Sequence, residues 1–196
     1  MKIISFTGNG STGKTTCMTR AISHLKENKI RVGYVFDIVR GTLMDKSLLD
    51  SPTGRLYALW RHLEQEYNHR LRSDVDVLLL DRSAVDWYCY YQMELASINK
   101  YYREFPNPIR QMTLDIADSY HSFIWFNTEG FDYVRDGFRP NSKKLRNTVD
   151  DHYKHIHQTL LQRGKTPIHS IQGDSVKDRI EQTLQYMDNV IEEIRK

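Results

Sequence analysis

Cysteine is scarce in this chain: Cys17 and Cys89 are the only two among 196 residues. With no metal-ligand partners at finger spacing, they exclude a disulfide scaffold and a structural zinc site, and they suit a reducing cytosol. An excess of charge of one sign is missing too, since 28 basic residues against 25 acidic ones leave +3. That balance permits a phosphate-bearing substrate without marking a nucleic-acid binder. Long apolar runs are absent as well. The densest, Val75 to Leu80, is strand-sized and far from the roughly 18 residues of a membrane span. The chain enters a motif directly after Met1-Lys2-Ile3-Ile4-Ser5-Phe6, with no signal-peptide pattern, so a cytoplasmic protein with no membrane partner is expected. No repeat or low-complexity tract interrupts it. A composition of 39% hydrophobic and 27% charged residues fits a soluble enzyme built as one domain over 1–196.

What is present alternates. Lys2–Thr7, Arg31–Phe36, Val75–Leu80, Ser122–Phe126 and Pro167–Ile171 are short, apolar and strand-like. Between them run helical stretches: Lys14 to about Glu27, Thr53–Leu71, Val85–Ile98, Ile109–Ser119 and a closing Val176–Ile194. The last opens with Ser175 and Asp178 in capping-box positions. This alternation predicts an α/β fold with five parallel strands and helices on both faces; strand order is not readable from it. From Asp132 to Lys144 the periodicity fails, and Arg135, Arg139, Lys143, Lys144 and, just beyond, Arg146 cluster there. A solvated surface loop is the plain reading of such a cluster.

The string Gly8-Asn9-Gly10-Ser11-Thr12-Gly13-Lys14-Thr15 fills the pattern Gly-x-x-x-x-Gly-Lys-Ser/Thr completely, after a strand and before a helix. Such a loop curls its backbone N–H groups toward phosphate oxygens, and the helix behind it adds the positive end of its dipole. Lys14 is placed to reach the β- and γ-phosphates, Thr15 to ligate Mg²⁺, and Thr16 to continue the cradle. ATP and Mg²⁺ are the expected ligands. Asp81 ends the third strand, where a carboxylate beside the loop holds Mg²⁺ directly or through water. A Glu to activate water does not follow it. Arg82 does, which suits transfer to an acceptor, although Arg also serves in structural ion pairs. No Asn-Lys-x-Asp string for guanine is present.

Asp81-Arg82-Ser83, with Asp86 and Tyr90-Tyr91-Gln92 after it, resembles the P-loop nucleoside and nucleotide kinase superfamily, and in particular thymidylate kinases. Asp136-Gly137-Phe138-Arg139 ahead of Arg146 is more similar to nicotinamide-riboside-kinase-like P-loop proteins. Gly173-Asp174-Ser175 is similar to a segment that packs near adenine in both groups. These marks span nearly the whole chain. The resemblance implies a doubly wound sheet of order 2-3-1-4-5, and a lid at about 132–146 carrying Arg139 and Arg146 over the transferring phosphoryl group. A homodimer is a further implication. Phe36-Asp37-Ile38-Val39-Arg40 departs from the Arg-Glu/Asp-Pro string of thymidylate kinases, which weakens the case for thymidylate as the acceptor.

Asp37 ends the second strand on the same sheet edge as the loop. It is a candidate to accept a proton from an acceptor hydroxyl, with Arg40 as substrate anchor; capping a loop is the equal alternative. Trp87 and Tyr91 are candidates to stack on an acceptor base, against a core role for each. His152, His155 and His157 read as a solvated helix face, and Cys17 as packed. The expected activity is transfer of the γ-phosphoryl group of MgATP to a nucleoside, nucleotide or similar acceptor. The basic residues from Lys143 to Lys165 motivate a rival acceptor, a polynucleotide end or a hydroxylated base within DNA. A nucleotide-dependent regulatory ATPase is the other rival.

Overall fold

The computed structural model describes residues 1–38, 49–98, 107–128 and 143–196, with 143–146 described by their backbone alone. The elements run β1 (Lys2–Thr7), α1 (Lys14–Glu27), β2 (Val32–Val35), α2 (Pro52–Arg70), β3 (Val77–Asp81), α3 (Ala84–Ile98), α4 (Pro108–Ala117), β4 (Ser122–Phe126), α5 (Lys143–Arg163), β5 (Ile168–Ile171) and α6 (Val176–Arg195). All five strands pair in parallel in the order β2-β3-β1-β4-β5. This is the doubly wound α/β sheet that the sequence and its resemblance predict.

Strand side chains alternate between two cores because the pleat turns successive residues to opposite faces. Ile4, Phe6, Leu79 and Ile124 meet Met18, Ala21 and Leu25 of α1 and Met187, Val190 and Ile191 of α6. Ile3, Leu78, Leu80 and Phe123 meet Val85, Cys89 and Met93 of α3 and Tyr153, Ile156 and Leu160 of α5. A third cluster, with Ala58 and Leu59 against Ala84 and Trp87, lays α2 over α3. Sheet and flanking helices therefore fix where every strand end emerges, and the site is built on those ends.

Several boundaries differ from expectation by a residue or two, and three of them have local reasons. The second strand is shorter than Arg31–Phe36. Arg31 turns its N–H, Nε and Nη2 onto Asp76, while its carbonyl accepts from Asp76 N–H, and regular pairing begins at Val32. Pro167 has no N–H to give, so it offers only its carbonyl to Phe123 N–H and β5 starts one residue later. Most consequentially, α5 is already helical at Lys143, so the end of the expected loop is helix. Residues 129–142, including Asp132, Arg135, Gly137 and Arg139, lie outside the described residues, as does Arg40.

Candidate nucleotide site

Gly8 leaves β1 with φ 136°, and a Cβ there would stand 2.5 Å from the Phe126 carbonyl oxygen, so glycine is required. Its N–H donates to Asp86 Oδ1 at 3.1 Å. The loop then closes on itself, with Thr12 Oγ1 donating to the Asn9 carbonyl and Gly10 N–H to Asn9 Oδ1. Lys14 Nζ lies over the loop, 2.7 Å from Gly8 O and 2.6 Å from Asn9 O. Gly13, at φ 83°, is the N-cap of α1. It supplies no side-chain cap, α1 has no acidic residue in its first turn, and a Cβ on Gly13 would meet nothing within 4 Å. A 14-residue helix thus presents a positive end without a side-chain cap to open space, which fits a phosphate chain.

Beside this cradle, Thr15 Oγ1 donates to Asp81 Oδ2 at 2.6 Å. Asp81 is buried, and burial raises its carboxyl above the ordinary range, with Lys14 opposing the shift. A hydroxyl and a charge-starved carboxylate side by side are hard oxygen donors that fit Mg²⁺.

Farther along the same sheet edge, Arg82 takes φ 81°, a left-handed conformation rare for a side chain of its size. The turn directs its guanidinium to Asp37, with Nε 2.9 Å from Oδ2 and both residues buried. Burial works against the charge, yet Tyr90 and Asp37 hold the Arg82 pKa well above its usual value. Tyr90 takes the guanidinium on its ring at 5.0 Å and at its hydroxyl at 3.3 Å. Arg55 of α2 lies over the same ring at 5.1 Å and is bound by Glu94 at 3.0 Å.

The fold thus brings Lys14, Thr15, Asp81, Asp37 and Arg82 to one edge. Ser11, with φ 59°, completes the loop, and Thr16 is exposed beyond it. Gly173 reaches the loop through Arg179, while Asp174 is exposed. Tyr90, rather than Tyr91, meets Arg82; Tyr91 packs against Tyr88. Trp87 is enclosed between α2 and α3, which removes it as a platform for a base, and Arg82 caps its ring at 5.7 Å. Arg146 falls on α5, one helical turn before Asp150. Among the described residues no cluster of three metal-binding side chains occurs. Cys17 is buried, and burial pushes its thiol up to about 11.

Sequence reasoning gave no bracing role to the residues that hold the loop. Asp86 is fully buried and takes hydrogen bonds from Gly8 N–H, Ser83 N–H, Ser83 Oγ and the Tyr153 hydroxyl. Its position three residues after Ser83 is the signal that would have found it. Asp150, three residues before Tyr153 on α5, accepts from Asn9 Nδ2 at 2.8 Å. Arg179 of α6 donates Nη1 to the carbonyls of Thr12 and Asn127, at 3.0 and 2.9 Å, and Nε to that of Gly173. No local pattern announces it. Asp86→Ala is expected to cost about 3 kcal/mol, because it strands four donors around the loop. Urea unfolding of the variant measures this, and a loss below about 1 kcal/mol would contradict the assignment.

A glycine-rich loop joining the first strand to its helix, within a parallel sheet of order 2-3-1-4-5, defines a P-loop nucleotide-binding domain of the NTPase type. The sequence matches the AAA domain family over residues 3–179, and the chain belongs to that family. No curated protein matches it. The matched span ends on Arg179, the residue that ties α6 to the loop. None of the described helices is long and apolar enough to cross a membrane.

Proposed function

We propose that this P-loop protein is an ATP-dependent phosphotransferase that moves the γ-phosphoryl group to a hydroxyl of a nucleoside or nucleotide-like acceptor. The buried Asp37–Arg82 pair carries the reading. It puts a carboxylate and a guanidinium at the ends of β2 and β3, on the sheet edge that carries the phosphate cradle, and Arg82 stands where a water-activating Glu would follow Asp81. Lys14 and the loop amides would hold the β- and γ-phosphates, and Thr15 and Asp81 would hold Mg²⁺. Bound there, the metal supplies charge neutralisation on the phosphate oxygens. Asp37 would accept the proton as the acceptor oxygen bonds to phosphorus and ADP leaves, with Arg82 stabilising the equatorial charge. Arg139 and Arg146 are proposed to add to that charge stabilisation, Arg40 to anchor the acceptor, and Gly173 and Asp174 to flank the adenine.

Among the described residues, Arg82 and Arg55 are each matched by a carboxylate. This favours an uncharged hydroxyl over a phosphomonoester as acceptor. The basic face that motivated a DNA substrate is reduced, because Arg163 and Lys165 both pair with Asp118.

The test is transfer from γ-labelled ATP with Mg²⁺ to a panel of nucleosides, nucleoside monophosphates, nicotinamide riboside and hydroxymethylated DNA. Label on a small hydroxyl acceptor is the expected result. Asp37→Asn is then expected to lower kcat about 10²- to 10⁴-fold while ATP binding persists. Label recovered only as free phosphate would overturn the proposal and leave a regulatory ATPase.

A further inference from the structure

Helix α2 buries Ala58, Leu59, His62 and Glu66 and turns its opposite face outward. Along that outer face stand Tyr57, Trp60, Glu64, Tyr67 and Leu71, at successive spacings of 3, 4, 3 and 4. Tyr57 is 52% exposed, Trp60 69%, Tyr67 59% and Leu71, at the helix C-cap, 68%. Single exposed apolar residues need no explanation, but four on one stripe with coiled-coil periodicity do. Among the described residues, none of the three rings stacks on another ring or on a cation.

The order of the stripe selects its occupant. From the N-terminal end it runs Tyr57, Trp60, Glu64, Tyr67, Leu71, with two large side chains on either side of Glu64, so in size and spacing it is nearly symmetric about that residue. An antiparallel copy of the same helix, related by a two-fold axis at Glu64, sets Tyr57 against Leu71 and Trp60 against Tyr67, in both directions at once. Self-complementarity of this kind is what an isologous interface requires. The central like charges have partners as well, because Arg61 pairs with Glu64 within each helix and lies within a turn of the other copy's Glu64.

The available area is also adequate. Three rings and a leucine, each more than half exposed, offer on the order of 450 Å². The adjoining flank holds a groove of about 800 Å³ between α2 and α4, lined by Leu63, Tyr67, Met112 and Ile116. Side chains flanking the partner's stripe would seat there, bringing the patch toward the roughly 800 Å² per partner of a specific interface.

We propose that the protein forms a two-fold homodimer through antiparallel pairing of α2 with its own copy, with Glu64 on the axis. The inference is independent of the phosphotransferase reading.

Sedimentation of the full chain at micromolar concentration is expected to show a dimer. Trp60→Glu should raise the dissociation constant at least about 100-fold, since it replaces a central aromatic anchor by a charge. Glu64→Leu should lower it about tenfold by removing the polar layer from the seam. Both positions are exposed, so circular dichroism melts should stay near those of the parent. Register is read by oxidation: Glu64→Cys should cross-link to itself, Tyr57→Cys alone should not, and Tyr57→Cys combined with Leu71→Cys should. A chain that stays monomeric at about 100 μM, far above the range of a specific dimer, would falsify the proposal. It is equally overturned by a dimer indifferent to Trp60→Glu, or by self-cross-linking of Tyr57→Cys as efficient as that of Glu64→Cys.

Discussion

Replacing Lys14 with alanine is expected to reduce phosphoryl transfer by about 10²- to 10³-fold and to weaken ATP binding, while leaving the sheet and its helices folded. The ammonium lies over the loop, where it contacts the carbonyls of Gly8 and Asn9 and the hydroxyl of Thr12. Asn9, Thr12 and Gly8 remain braced without it, through Asp150, Arg179 and Asp86 respectively. Loop geometry should therefore survive while its charge is lost. Calorimetric titration with ATP and a thermal melt on the same sample separate the two effects. A variant that binds and transfers like the parent would show that the cradle is not the phosphate site.

Asp81→Asn is expected to act in opposite directions on binding and on stability. Mg²⁺-dependent enhancement of ATP binding should fall on the order of 100-fold, because the hard anionic donor beside Thr15 is gone. The ligand-free protein, by contrast, should melt at a higher temperature than the parent at neutral pH. Burial raises the Asp81 carboxyl above its unfolded value of 3.8, so the folded state holds its proton more tightly than the unfolded chain does. Stability therefore falls as pH rises from the unfolded value through the raised one, and the deficit persists at neutral pH. Asparagine removes that deficit and still accepts from Thr15. Its advantage should grow as pH rises above the unfolded value and vanish toward about pH 4. Melting curves across that range decide the matter, and an Asp81→Asn protein less stable than the parent at neutral pH would contradict it.

How much of this was legible depended on how local each feature is. The loop from Gly8 to Thr15 was readable in full, because its conformation and its donors come from adjacent residues. Alternation of strands and helices gave the fold class, but the order 2-3-1-4-5 came from resemblance; nothing in a strand's own residues says which neighbour it takes. Helix α5 was obscured by its charge. Its lysines and histidines drew the reading toward a basic loop and a solvated face, although Val149, Tyr153, Ile156 and Leu160 mark its buried stripe. The pairing of Asp37 with Arg82 joins the ends of two strands 45 residues apart. Arg55 with Glu94 joins two helices 39 residues apart. Neither pairing leaves a mark on local periodicity, and only the packed fold shows which arginine meets which carboxylate.

The tether from Arg179 to Thr12 spans 167 residues. A ribosome makes the loop early and the guanidinium that braces it late, so a nascent chain carries a recognisable phosphate motif long before that motif is held in shape. Contacts of such sequence separation form slowly and only after the intervening strands have docked. Nucleotide capture during synthesis should accordingly appear only once residue 179 has cleared the exit tunnel. Ligand binding then becomes a readout of finished translation through β5 and into α6, and premature termination upstream of that arginine yields a chain with the motif but without a supported site.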